Sequence, residues 1–200
     1  MKIGILGGSF NPIHVGHLYL AKKAYISAGL DEVWLMPSFI TPFKEDKKMA
    51  TSFDRFQMCT LAASEYDYIK VSDFEIKREE ISYTYLTLES LKKLYKEDSF
   101  YFIMGGDSLE SFKNWKHPEI ICSLCTLLVM NRNGLKDRYI QDKVQELKDN
   151  YDACIQIIDC EEIEVSSTEI RHQIRTQKDC TNLLSKQVYD YIKKQDLYTE

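Results

Sequence analysis

Short apolar runs alternate with helix-patterned stretches along the whole chain, and this alternation most constrains the fold. The runs Lys2–Leu6, Glu32–Met36, Tyr68–Val71, Phe100–Met104, Leu124–Met130 and Ile155–Ile158 read as six buried strands. Between them, a helix runs from near Gly16 to Ala28, with Gly29 as its stop signal. Thr51, with Asp54 three residues on, caps a second helix through about Ser64, whose apolar face is Phe53, Phe56, Met58 and Leu61. Ser82-Tyr83-Thr84 opens a third through Lys96, with Leu88, Leu91, Leu94 and Tyr95 at helical spacing. Further helices are expected at Ser108–Phe112, at Tyr139–Lys148, from the Ser166-Ser167-Thr168 cap to Thr176, and at Ser185–Lys194. Phe74–Glu80 alternates and reads as a short edge segment. The expected class is α/β, a doubly wound, mainly parallel sheet in one domain over 1–200, with a small helical part from about 166.

Composition narrows the partners. The formal charge of −5 argues against a nucleic-acid coat protein, without excluding a nucleotide substrate. No apolar run is long enough to span a membrane, and Met1–Leu6 lacks a signal-peptide pattern, so a cytoplasmic location is expected. Cys59, Cys122, Cys125, Cys154, Cys160 and Cys180 suit a reducing compartment. Cys122-x-x-Cys125 has no second ligand pair at metal spacing, so these cysteines read as small buried residues rather than a zinc site.

In such sheets ligands bind beyond the carboxyl ends of strands, where strand order reverses. Three marked turns are expected to meet there: after Leu6, after Met104, and before the Ser167 helix. The first carries Gly7-Gly8-Ser9-Phe10-Asn11-Pro12-Ile13-His14-Val15-Gly16-His17. Its glycines let the backbone come close to a ligand. It is neither the dinucleotide fingerprint nor the P-loop pattern. His14 and His17, three apart at a helix start, share one face. The helix N-terminus supplies N–H groups and partial positive charge, which lowers histidine pKa and suits neutral rings donating to phosphate. A metal pair is the alternative, although no carboxylate sits nearby in sequence.

Gly-Gly-Ser-Phe-Asn-Pro-Ile-His-Val-Gly-His resembles the HxGH signature of the nucleotidyltransferase superfamily, and Ser166–Arg171 resembles its second signature, (I/V)SSTxIR. Ile81–Leu88 resembles the SYTxxTL segment of the bacterial nicotinate-mononucleotide adenylyltransferase family. Phe102–Asp107, Trp115 and Val129–Gly134 are similar to the same family. Ser9 and Asn11 stand where that family usually has Thr and Asp, Phe43 where it has His, Leu86 where an acid is common, and Lys116 where an aromatic is common.

The resemblance implies a Rossmann-like fold and one reaction. The acceptor phosphate attacks the α-phosphorus of ATP, giving deamido-NAD and pyrophosphate with no covalent enzyme intermediate. It implies that His14, His17 and Arg171 are catalytic, and that Gly7, Gly8, Ser9, Phe10, Lys44, Ser167 and Thr168 join them in binding ATP. The acceptor falls to Thr84, Gly105, Asp107, Trp115 and Arg132, with Trp115 stacking on the pyridinium ring and Asp107 taking ribose hydroxyls. Mg²⁺ is expected to arrive with ATP, and the chain is a possible homo-oligomer. Other readings are an adenylyltransferase for nicotinamide mononucleotide or phosphopantetheine, and a nucleotide-binding regulator without turnover.

Overall fold

Strand β1 (Lys2–Gly8) lies at the centre of a six-stranded, wholly parallel sheet in the order β3-β2-β1-β4-β5-β6. The computed structural model describes residues 1–40, 49–131, 138–161 and 163–199. Lys44, Arg132 and the Asn133-Gly134 turn lie outside the described residues. The other strands are β2 (Glu32–Pro37), β3 (Ile69–Val71), β4 (Ser99–Gly105), β5 (Cys125–Asn131) and β6 (Ile155–Asp159). Strand order reverses between β1 and β4, so the glycine turn after β1 stands at the switch point.

Alternation along the strands feeds two cores, one on each face of the sheet. Ile3, Ile5, Phe100, Phe102 and Met104 pack on one face, whereas Leu6, Leu35, Ile103 and Leu128 pack on the other. Helices cover both: α1 (Val15–Ala28), α2 (Ser52–Ala63), α3 (Phe74–Arg78), α4 (Thr84–Leu94), α5 (Gly106–Ser111), α6 (Pro118–Leu124), α7 (Arg138–Tyr151), α8 (Ser167–Arg175) and α9 (Lys186–Lys194). The expected start and stop signals operate. Gly29 ends α1 at φ 58°, and the Thr51, Ser166 and Ser185 hydroxyls each accept an N–H at the start of α2, α8 and α9.

Four local expectations are corrected. Phe74–Glu80 is not an edge strand: Lys77 N–H bonds to the Asp73 carbonyl, an Asp73–Lys77 ion pair spans that turn, and Glu79 closes it in the left-handed region. On α2, Phe53 is 64% exposed, while Arg55, Met58, Cys59 and Ala62 form the buried stripe. On α4 the stripe is Thr87, Leu88 and Leu91, and both Leu94 and Tyr95 face solvent. Residues 118–124 form α6, opened by Pro118 at the first helical turn, so β5 starts at Cys125. Of the six cysteines, Cys154 is exposed and the rest are buried. Burial pushes the Cys122 thiol up to about 11, and it raises Cys59 and Cys125 as well.

Candidate active site

The turn Gly7-Gly8-Ser9 separates two cavities. The larger, about 560 Å³, is lined by Ser9, His14, His17, Ser167, Thr168 and Arg171, among others. The smaller, about 150 Å³, takes in Gly7, Gly8, Thr84, Phe102, Trp115 and Lys116. The two signatures from opposite ends of the chain therefore meet on one side of the turn. The expected acceptor residues Thr84 and Trp115 meet on the other.

His14 is the N-cap of α1 and only 8% exposed. Its ring centroid lies 3.8 Å from that of His17. The His14 N–H donates to His17 Nδ1 at 3.2 Å. In a neutral ring this places the His17 proton on Nε2, which is then a donor suited to an oxyanion. Phe10, 1% exposed with φ 46°, packs its ring edge-on to His17 at 5.0 Å, so its part in the site is to support the imidazole and to lead the backbone past the cleft. Gly16 is required for this pair. A Cβ there would lie 2.8 Å from Val165 Cγ1 and 3.1 Å from the His14 ring.

The second signature is bolted onto the first. Arg171 Nη1 donates to the Asn11 carbonyl at 2.8 Å, and Ser167 Oγ donates to the Pro12 carbonyl at 2.9 Å. The Ser167 hydroxyl thus orients the helix; what α8 offers the cleft is its first-turn N–H groups, beside the Thr168 hydroxyl and the Arg171 guanidinium. Val15 N–H also donates to the Leu183 carbonyl, fixing α1 against the C-terminal segment.

Two residues that sequence reasoning missed hold the turn from behind. Arg55 is 1% exposed and donates to three carbonyls: Ser9 at 2.8 Å, Phe39 at 3.1 Å and Ala50 at 3.2 Å. Burial lowers its pKa, opposed by the nearby Cys59 and Tyr198. Asn11 Oδ1 accepts from Ala50 N–H and from the Tyr198 hydroxyl, whose pKa burial raises. Arg55 could have been found from its place one helical turn before Met58 and Cys59; the sequence carries no comparable signal for Tyr198.

Around the smaller cavity, Trp115 is half-buried, with its ring perpendicular to Phe102 at 5.8 Å and tilted against Phe112 at 5.3 Å. Ser82 joins the wall to the segment just after β2, since its Oγ accepts from Phe39 N–H and its own N–H donates to the Ile40 carbonyl. Gly105 caps α5, and Asp107 is exposed in its first turn. Neither residue lines either cavity. Only two of the three expected turns, those after Leu6 and before Ser167, therefore share the larger cleft.

Residues 5–173 match the family model described as Cytidylyltransferase-like. A probable nicotinate-nucleotide adenylyltransferase from Carboxydothermus hydrogenoformans is 40% identical over 98% of both chains. Its counterpart from Clostridium acetobutylicum is 37% identical over the same shares. This chain belongs to the nicotinate-nucleotide adenylyltransferase family. The fold agrees with solved structures. Plasmodium falciparum nicotinic acid mononucleotide adenylyltransferase complexed with NaAD superposes with a TM-score of 0.79 at 24% identity, over 98% of this chain and 97% of that one. A putative nicotinate-nucleotide adenylyltransferase from Vibrio parahaemolyticus gives 0.68 at 19% identity, over 100% and 96%. Within the family frame, His14, His17, Ser167, Thr168 and Arg171 are one assembled surface in this chain, and Thr84 and Trp115 are another.

Proposed function

We propose that this chain transfers the adenylyl group of ATP to nicotinate mononucleotide, giving deamido-NAD and pyrophosphate for NAD biosynthesis. The observation that carries this reading is the pair of cavities on either side of Gly7-Gly8-Ser9, one cationic and N–H-rich, the other aromatic. ATP lies in the larger cleft, its phosphates held by His14, His17, Arg171 and the first turn of α8. The pyridine ring lies against Trp115, and its carboxylate meets backbone N–H groups near Thr84 and Trp115. Asp107, just beyond β4, takes ribose hydroxyls.

The chemistry needs no nucleophile from the protein. An oxygen of the acceptor phosphate, already ionised, forms a bond to the α-phosphorus. The bond to the β-bridging oxygen breaks, and its electron pair leaves with pyrophosphate. The site contributes alignment and charge stabilisation. His17 Nε2–H and the Arg171 guanidinium face the cleft where that charge grows. Among the described residues, no group of three or more His, Cys, Asp or Glu side chains is placed to hold a metal ion. Mg²⁺ would arrive with ATP and would supply charge neutralisation on the phosphates, beside the His14, His17 and Arg171 side chains.

Pyrophosphate release from ATP with nicotinate mononucleotide, nicotinamide mononucleotide and phosphopantetheine, assayed side by side, tests the assignment. Strong turnover with the first alone is expected. Turnover only with phosphopantetheine would refute the acceptor assignment.

A further inference from the structure

The smaller cavity holds a buried acid that the reaction above leaves unused. Glu75, on α3, is 9% exposed and lines the cavity with Tyr83, Phe102 and Trp115. Its Oε1 accepts from Thr87 Oγ1 at 2.7 Å, and the Ser82 hydroxyl also bonds to this carboxyl. No ion pair to Glu75 exists among the described residues. A carboxylate buried without a direct ion pair is costly, and two hydroxyls with the charge of Arg78, outside ion-pair contact, compensate only in part.

The same cavity carries the opposite charge at its rim. Lys116 Nζ sits 4.6 Å above the centre of the Tyr83 ring and forms no ion pair among the described residues. The lining thus runs from a buried anion, along aromatic faces, to an exposed cation. A nicotinate nucleotide has the complementary layout, a positive pyridinium ring bearing a negative carboxylate.

We propose that Glu75 is the counter-ion of the acceptor's pyridinium ring, with Lys116 at the rim favouring the ring carboxylate. This rests on the acceptor reading above and deepens it. The ligand's cation supplies the direct ion-pair partner that Glu75 lacks among the described residues, in a site whose apolar walls strengthen the attraction. Trp115 meets the same cation with its π face. The cavity then selects for ring charge as well as ring shape.

Calorimetric binding at pH 8 tests this with two ligands: nicotinate mononucleotide, and its C-nucleotide analogue in which a neutral benzene ring replaces the pyridinium. The wild type should bind the charged ring about tenfold more tightly or better, as one ion pair in a low-dielectric site allows. Glu75→Gln keeps an oxygen for Thr87 but no charge. It should bring the ratio close to one by weakening only the charged ligand. A wild-type ratio near one overturns the proposal, and this measurement stands even if the variant fails to fold. Equal weakening of both ligands in Glu75→Gln also overturns it, because that is what a purely structural role produces. Failure of both ligands to bind the wild type would instead sink the acceptor reading, and the counter-ion with it.

Discussion

Arg171 Nη1 and the carbonyl of Asn11 are 2.8 Å apart across 160 residues of sequence. This bond joins the helix of the C-terminal signature to the turn of the N-terminal one, with the guanidinium at the edge of the larger cleft. Arg171→Ala should lower kcat/KM for ATP by about 100-fold, equivalent to ~2.7 kcal/mol of lost transition-state stabilisation. Steady-state kinetics with ATP varied would check it. A loss below about threefold would mean that Arg171 only ties the two segments together.

Gly16 sets two opposing effects against each other. Alanine is favoured over glycine inside a helix by up to ~1 kcal/mol. Its Cβ would nevertheless press on Val165 Cγ1 at 2.8 Å and on the His14 ring at 3.1 Å. Gly16→Ala should therefore change thermal stability little while cutting kcat at least tenfold, since near-attack geometry tolerates little displacement. His17→Ala, which deletes the donor itself, should abolish turnover and leave the circular dichroism spectrum intact. Wild-type kcat in Gly16→Ala would contradict the need for a fixed His14.

Arg55 holds three carbonyls from a fully buried position. Arg55→Met would leave all three acceptors without this donor, at about 1–3 kcal/mol for each one that water cannot reach. The melting temperature should fall by roughly 10 °C or more at this chain length. Differential scanning calorimetry reads this directly, and a shift under about 3 °C would show that water replaces the guanidinium.

Glu75 gives the stability a pH dependence of known sign. Burial raises its pKa above the ordinary 4.5, opposed by the Thr87 and Ser82 hydroxyls and by the charge of Arg78. The folded chain then keeps this proton to a higher pH than the unfolded chain does. The stabilisation is complete below pH 4.5 and is lost as pH rises through the raised folded value. The melting temperature of the wild type relative to Glu75→Gln should fall as pH rises through that window. A difference constant with pH would contradict a raised pKa.

Sequence made the strand and helix alternation legible because the central strands are nearly continuous apolar runs and because Thr51, Ser166, Ser185 and Gly29 mark helix ends. It also made His14, His17, Ser167, Thr168 and Arg171 legible, because they sit in contiguous motifs. Glu75 was not, and Arg55 only through its spacing to Met58 and Cys59, since each is a charged residue whose burial depends on partners outside its own helix: Ser9 and Phe39 for one, Thr87 for the other. Phe53 misled for the converse reason. A helix of mixed composition offers two candidate stripes, and only the sheet decides which one is covered.

Direct transfer between the two cavities flanking Gly7-Gly8-Ser9 is the central step of the proposed reaction. The decisive measurement follows radiolabelled pyrophosphate into ATP, with and without acceptor. With enzyme and ATP alone, no label should enter ATP and no adenylylated protein should form. With nicotinate mononucleotide present, deamido-NAD should accumulate and exchange should begin. Label entering ATP without any acceptor would require an adenylyl-enzyme and would contradict transfer across the turn in one step.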